Sequence, residues 1–181
     1  MLEMFASPFD RADWLVARAG AFNGEGTAAS GSTDKNDQKD FVGRLEWTPL
    51  SFVTFAGSTV QGRLGSPRVI KQRNGWDIEA RWGPATVDFE YLFGRTANKR
   101  AKGAYAQGTL WLWKEEVQAV YRYDWFDPDL SVNGDRVYTT TLGVNWYPAK
   151  VLRVTLNQEL KREQGARINN DTFIGSVQYF F

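Results

Sequence analysis

Charged side chains recur at every second position in several stretches of this chain. In WDIEARW (76–82), Asp77, Glu79 and Arg81 alternate with Trp76, Ile78, Ala80 and Trp82. In ATVDFEYLFG (85–94), Asp88 and Glu90 alternate with Val87, Phe89, Tyr91 and Phe93. In VLRVTLNQELK (151–161), Arg153, Asn157, Glu159 and Lys161 oppose Leu152, Val154, Leu156 and Leu160. The same assignment adds Arg44, Glu46, Arg122, Asp124 and Arg136 to the polar set. Such a set can line a watery passage, where rings of Arg and Lys favour anions and rings of Asp or Glu favour cations. It is mixed in sign. The two stretches around 76–93 contribute four acids against one base, so no unbroken cationic ladder runs through it, and pairing across neighbouring strands into a filled polar interior explains each residue singly.

Other chemistries have weaker support. The chain has no histidine and no cysteine, which removes the usual catalytic base, the commonest transition-metal ligand and every thiolate. No carboxylate pair stands out for acid–base work, so no enzymatic activity and no cofactor are expected. Arg63, Arg68, Lys71 and Arg73 form a basic cluster between two strands, and Lys99, Arg100 and Lys102 form another; both are placed to attract anions at a channel mouth or to be solvated. Asp34, Asn36, Asp37 and Asp40, and then Asp127, Asp129, Asn133 and Asp135, offer oxygen ligands of the kind Ca²⁺ uses. However, DPDLSVNGD lacks the glutamate spacing of an EF-hand loop, and turn chemistry explains it more simply. With 22 basic against 21 acidic residues, there is no general nucleic-acid surface.

The elements that would position these residues are strands. The dominant period is two, and ten strands are read at about 14–22, 41–48, 51–62, 76–82, 85–94, 103–114, 116–126, 136–147, 151–161 and 172–181. Most approach the ~9–11 residues a tilted strand needs to cross a bilayer. In 103–114 the face is open: either Tyr105, Trp111 and Trp113 point outward, or Ala106, Leu110 and Leu112 do. Long polar connections (23–40, 62–75, 94–101, 127–135, 162–171) alternate with short ones near 48–50, 83–85, 114–116 and 147–150. Trp47, Trp82, Trp146, Tyr147, Tyr179, Phe180 and Phe181 cluster beside the short turns or the terminus. Trp125 and Phe126 lie at the far end of their strand, so the aromatics suggest two interfacial girdles. A mean hydropathy of -0.45 suits a wall in which only alternate residues meet lipid. No apolar run approaches the ~20 residues of a spanning helix, and MLEMFASPFDRADW lacks the basic-then-apolar pattern of a signal peptide.

These features predict an all-β fold: an antiparallel up-and-down transmembrane β-barrel of about ten strands, with long loops on one side and short turns on the other. Residues 1–181 form one domain, with 1–13 a periplasmic lead-in. The ending IGSVQYFF (174–181) is read as the last strand, with Phe173, Val177, Tyr179 and Phe181 to lipid and Ser176 and Gln178 inward. It looks like the terminal signal read by the barrel assembly machinery, with Phe181 last. Pairing of the first strand with the last is expected to close the wall.

Several stretches resemble one family, the phosphate-selective porins of the O and P type. AGAFNGEG (19–26) followed by KDFVGRLEWTPL (39–50), then GAYAQGTLWL (103–112), VQAVYRYDWFDPD (117–129) and DRVYTTTLGVNWYP (135–148), are similar to its recurrent strands in order and spacing. The resemblance implies a bacterial outer-membrane porin for anions such as phosphate, sixteen-stranded and a homotrimer among outer-membrane lipids. Ten strands correspond to the C-terminal part of such a barrel, so the chain is a portion of a longer barrel or a shortened one. A narrow barrel without transport, and a soluble barrel holding a small apolar ligand, are the alternatives.

Overall fold

The computed structural model describes residues 2–4, 14–23, 39–64, 69–113, 115–165 and 168–180. All ten expected strands are present, preceded by a short one: β1 (Leu2–Met4), β2 (Leu15–Asn23), β3 (Lys39–Leu50), β4 (Val53–Leu64), β5 (Val69–Trp82), β6 (Ala85–Thr96), β7 (Lys99–Trp113), β8 (Val117–Asp127), β9 (Val137–Ala149), β10 (Leu152–Glu163) and β11 (Thr172–Tyr179). They form one sheet in which every strand pairs antiparallel with its neighbour in sequence. β1 falls inside the expected lead-in and pairs with β2 through Glu3 and Arg18. Phe181 lies outside the described residues.

Cross-strand partners share a face, and the period of two carries that face along each strand. Leu45, Gly57, Trp76, Tyr91, Ala104, Trp125 and Tyr138 form one row through seven strands. Glu46, Ala56, Asp77, Glu90, Tyr105, Asp124, Thr139 and Lys161 form a row on the opposite face. The sheet thus has an apolar face and a charged one. It is a single layer: among the described residues Ala56 is the one buried hydrophobic, while Trp82, Phe41, Phe173 and Val177 are each more than half exposed. A soluble sandwich would bury such side chains against a second sheet. Here nothing among the described residues covers the apolar face, as in a wall facing lipid.

Two of the expected long connections are shorter than their composition suggests. The strands around 62–75 continue to Leu64↔Val69, leaving 65–68 between them. The stretch 94–101 is a hairpin whose turn is Ala97 and Asn98, with Ala97 at φ 54 and its N–H bonded to the Ile70 carbonyl at 3.0 Å. The polar residues here extend the ladder, because backbone pairing needs no apolar side chain. On the other side the turns are tight, and Gly83, at φ 54, supplies one of them.

Closure between first and last strands is not observed. Among the described residues β11 pairs with β10 alone, and neither β1 nor β2 reaches it.

Gly94 shows how the ladder admits a long side chain. Arg73 lies across it to donate to the Arg95 carbonyl and the Thr96 hydroxyl, each at 2.7 Å. A Cβ on residue 94 would meet Arg73 Cδ at 2.8 Å and run into the Gln72 carbonyl. Gly94→Ala is therefore expected to destabilise the folded barrel by about 1–3 kcal/mol, the usual cost of overpacking, with denaturant unfolding in lipid as the check.

Candidate functional site: the charged face

The charged face is organised in two networks. In the first, Arg44 reaches over β4 to Asp77 in a bidentate pair, with Nη1–Oδ2 at 2.7 Å and Nη2–Oδ1 at 2.8 Å. Its Nε donates to Glu46 Oε1 at 2.8 Å and its Nη1 also to Ser58 Oγ at 2.8 Å. Arg18 of β2 holds the same Glu46 oxygen at 2.6 Å. Ala56 and Ser58, both small, leave room for the guanidinium to cross their strand. The alternation of Arg44 and Glu46 was visible in sequence. Arg18 was not among the candidates, although its position in LVARAGAFN placed it on a face with alternate partners.

In the second network Arg122 holds Asp124 through Nε at 2.9 Å and Nη2 at 2.6 Å. The Arg122 guanidinium lies 3.9 Å from the centre of the Tyr105 ring, a cation–π contact, and Tyr105 lies opposite Glu90 in register. This settles the face of β7: Tyr105 and Gln107 lie on the charged side, and Ala106 and Leu110 on the apolar one. Trp111 is also on the charged side, its ring 5.2 Å from Tyr147.

The remaining candidates divide between short pairs and lone carboxylates. Glu79 pairs with Arg81 at 2.8 Å, Glu159 with Lys161 at 3.2 Å, and Arg153 with Gln178. Asp88 and Glu90 share the face but enter no ion pair among the described residues. Most bases of the charged face are thus held by acids, while some acids are left over.

Arg136 is a correction. It lies just before β9, whose even-numbered positions Tyr138, Leu142 and Val144 face the apolar side. It pairs there with Asp127 at 3.1 Å and lies 5.7 Å from the Trp125 ring centre. By the same parity, Trp125 and Phe126 cannot share a girdle; Trp125 is on the apolar face beside Tyr91, with centroids 6.3 Å apart, and Phe126 opposes Gly103 on the other. Tyr147 likewise leaves the lipid side for Trp111.

The basic cluster at 63–73 is split. Lys71 and Arg73 are on the charged face, Lys71 paired with Asp40, and Arg63 is on the apolar one. Arg68 lies outside the described residues, as do Asp34, Asn36 and Asp37. Asp129 closes a turn, accepting from the Ser131 hydroxyl at 2.6 Å and N–H at 3.1 Å, and pairs with Lys99 at 3.8 Å. Those bonds hold its carboxyl below the usual value.

Comparison with known proteins agrees with this wall. The sequence profile of the family described as phosphate-selective porin O and P matches residues 87–175. Among solved structures, the anion-selective porin from Comamonas acidovorans superposes with a TM-score of 0.69 at 9% identity, over 98% of this chain and 54% of that one. No curated protein matches the sequence. The chain spans about half the length of the solved porin it matches, and among the described residues its first and last strands do not pair. The setting is the bacterial outer membrane. Residues 87–175, just under half of the chain, match the phosphate-selective porin O and P family, and the chain has the fold of a barrel wall of the outer-membrane porin type.

Proposed function

We propose that this chain builds the wall of an outer-membrane diffusion channel for small ions, with anionic solutes such as phosphate as its cargo class, and that it catalyses no reaction. The observation that carries the reading is the charged face, continuous from Arg18 on β2 to Arg153 and Gln178 on β10 and β11, backed by an apolar face that no described residue covers. Water on one side and lipid on the other is the only environment that suits both. Arg44, Glu46, Asp77, Glu79, Arg81, Asp88, Glu90, Arg122, Asp124, Arg153, Glu159 and Lys161 are the pore-lining residues in this reading. The matched family and the anion selectivity of the Comamonas porin support anions; the residues support a charge-paired lining. Unpaired sheet edges find no hydrogen-bond partners in lipid, so the wall conducts as part of a closed barrel.

Single-channel current from the closed barrel that contains this wall, across a planar bilayer with unequal salt on its two sides, tests this. Discrete openings with a reversal potential of anionic sign are expected. Folded protein without conductance would sink the channel reading and leave a filled barrel whose paired charges form its interior.

A further inference from the structure

The apolar face ends in a basic patch on one side of the membrane only. Next to the Tyr91–Trp125 row, Phe93, Lys102 and Asp127 face the same way, and beyond them Gln72, Arg95 and Arg100. From Ala85 to Arg95 the chain advances ten residues. A strand tilted by about 40° climbs about 25 Å over that length, which is the height of the apolar band. Arg95, Arg100 and Lys102 therefore stand where the band gives way to headgroups, and Arg136 joins them from the β8–β9 connection. Lys102 and Arg136 lie 6.0 and 5.7 Å from the Trp125 ring centre. Between them a cleft of about 490 Å³ opens, lined also by Asp127, Leu130 and Asp135.

The opposite end differs. There the apolar face finishes in Trp47, Phe55, Trp82, Ala85, Val117 and Trp146, with no charged side chain at these strand positions. Against four cations, the patch carries Asp127 and Asp135 and so is net positive by two. Asp127 holds Arg136 at 3.1 Å, while Arg95, Arg100 and Lys102 enter no ion pair with a carboxylate among the described residues. Aromatic rings at headgroup level fix depth, guanidinium groups grip phosphate oxygens in pairs, and basic residues beside the membrane attract anionic headgroups.

We infer that this patch is a docking site for a phosphorylated lipid of the outer leaflet. Its phosphates lie between Lys102, Arg136 and the Arg95/Arg100 hairpin, and its acyl chains lie along Tyr91, Trp125 and Tyr138. The end carrying the longer connections, 24–38 and 128–136, is the outward-facing one in such barrels. The site is on the lipid side of the wall, separate from the passage proposed above.

The test is native mass spectrometry of the folded protein in neutral detergent, titrated in turn with diphosphorylated lipid A, the same lipid without phosphates, and inorganic phosphate. Lipid A with both phosphates should be retained at least tenfold more strongly than the phosphate-free form. Lys102→Gln/Arg136→Gln should lose that preference. Arg95→Gln/Arg100→Gln, which changes only exposed residues and leaves the fold intact, should weaken it as well. Equal retention of both lipids, or unchanged retention in both variants, overturns the inference. So does inorganic phosphate that binds at these residues and displaces the lipid. Protein that conducts but retains no lipid A refutes this site alone; protein that retains lipid A without conducting supports it independently of the channel.

Discussion

Ala106→Arg is expected to destabilise the folded protein by about 2–4 kcal/mol, the cost of an arginine on the lipid face near the bilayer midplane, while Gln107→Arg costs little. The two positions are adjacent in β7 and differ only in face. Ala106 opposes Phe89 on β6 and Tyr123 on β8, both on the apolar side. An arginine there must snorkel past rows of aromatic side chains to reach water. Gln107 opposes Asp88 and Arg122, and a second arginine gives Asp88 an ion partner, which it lacks among the described residues. Urea unfolding of each variant in lipid vesicles, followed by tryptophan emission, measures both. Equal losses in the pair would mean that the assigned faces of β7 are wrong, and with them the assignment of the pore lining.

Arg44→Ala should have the largest effect on the charged face. The side chain makes four hydrogen bonds, to Asp77, Glu46 and Ser58. Its removal leaves Asp77 without a cation among the described residues, whereas Glu46 keeps Arg18. The Arg44 side chain is 34% exposed, so water screens part of the loss, and about 1–2 kcal/mol of destabilisation is expected. The electrical consequence is larger. One fixed positive charge goes and one carboxylate is released, so the reversal potential should move toward cations. Asp88→Asn should move it the other way with little effect on stability, because Asp88 enters no ion pair among the described residues. The Arg44→Ala/Asp77→Ala double variant should recover most of the stability, giving a coupling energy of about 0.5–3 kcal/mol. A reversal potential that ignores both Arg44→Ala and Asp88→Asn would show that ions do not pass along this face.

The fold was legible because a barrel wall writes its faces into the period of the sequence. In WDIEARW and VDFEYLF each residue's environment follows from its parity, since a strand has only two sides and one of them meets lipid. The same rule, applied strictly, places Arg136 with Tyr138 and separates Trp125 from Phe126; both corrections were available without coordinates. The lengths of the connections were less legible. RTANKRA and VIKQRNG are polar enough for loops, yet they continue the ladder, because strand pairing is made by backbone groups and extends wherever the partner strand continues.

By itself, then, the sequence determined the class of wall, the number of long strands and the face of every strand whose alternation is clean. Tertiary structure alone decided what depends on register between strands. Arg44 meets Asp77 across 33 residues because hairpin lengths, not local composition, set which rows align. Tyr105 takes the charged side because Arg122 and Glu90 flank it on the neighbouring strands, a choice that a segment with aromatics on both faces could not make alone. The edges stay apart for the same kind of reason. Whether first and last strands meet depends on the small turn between each adjacent pair, summed across the whole sheet, and no single strand encodes that sum.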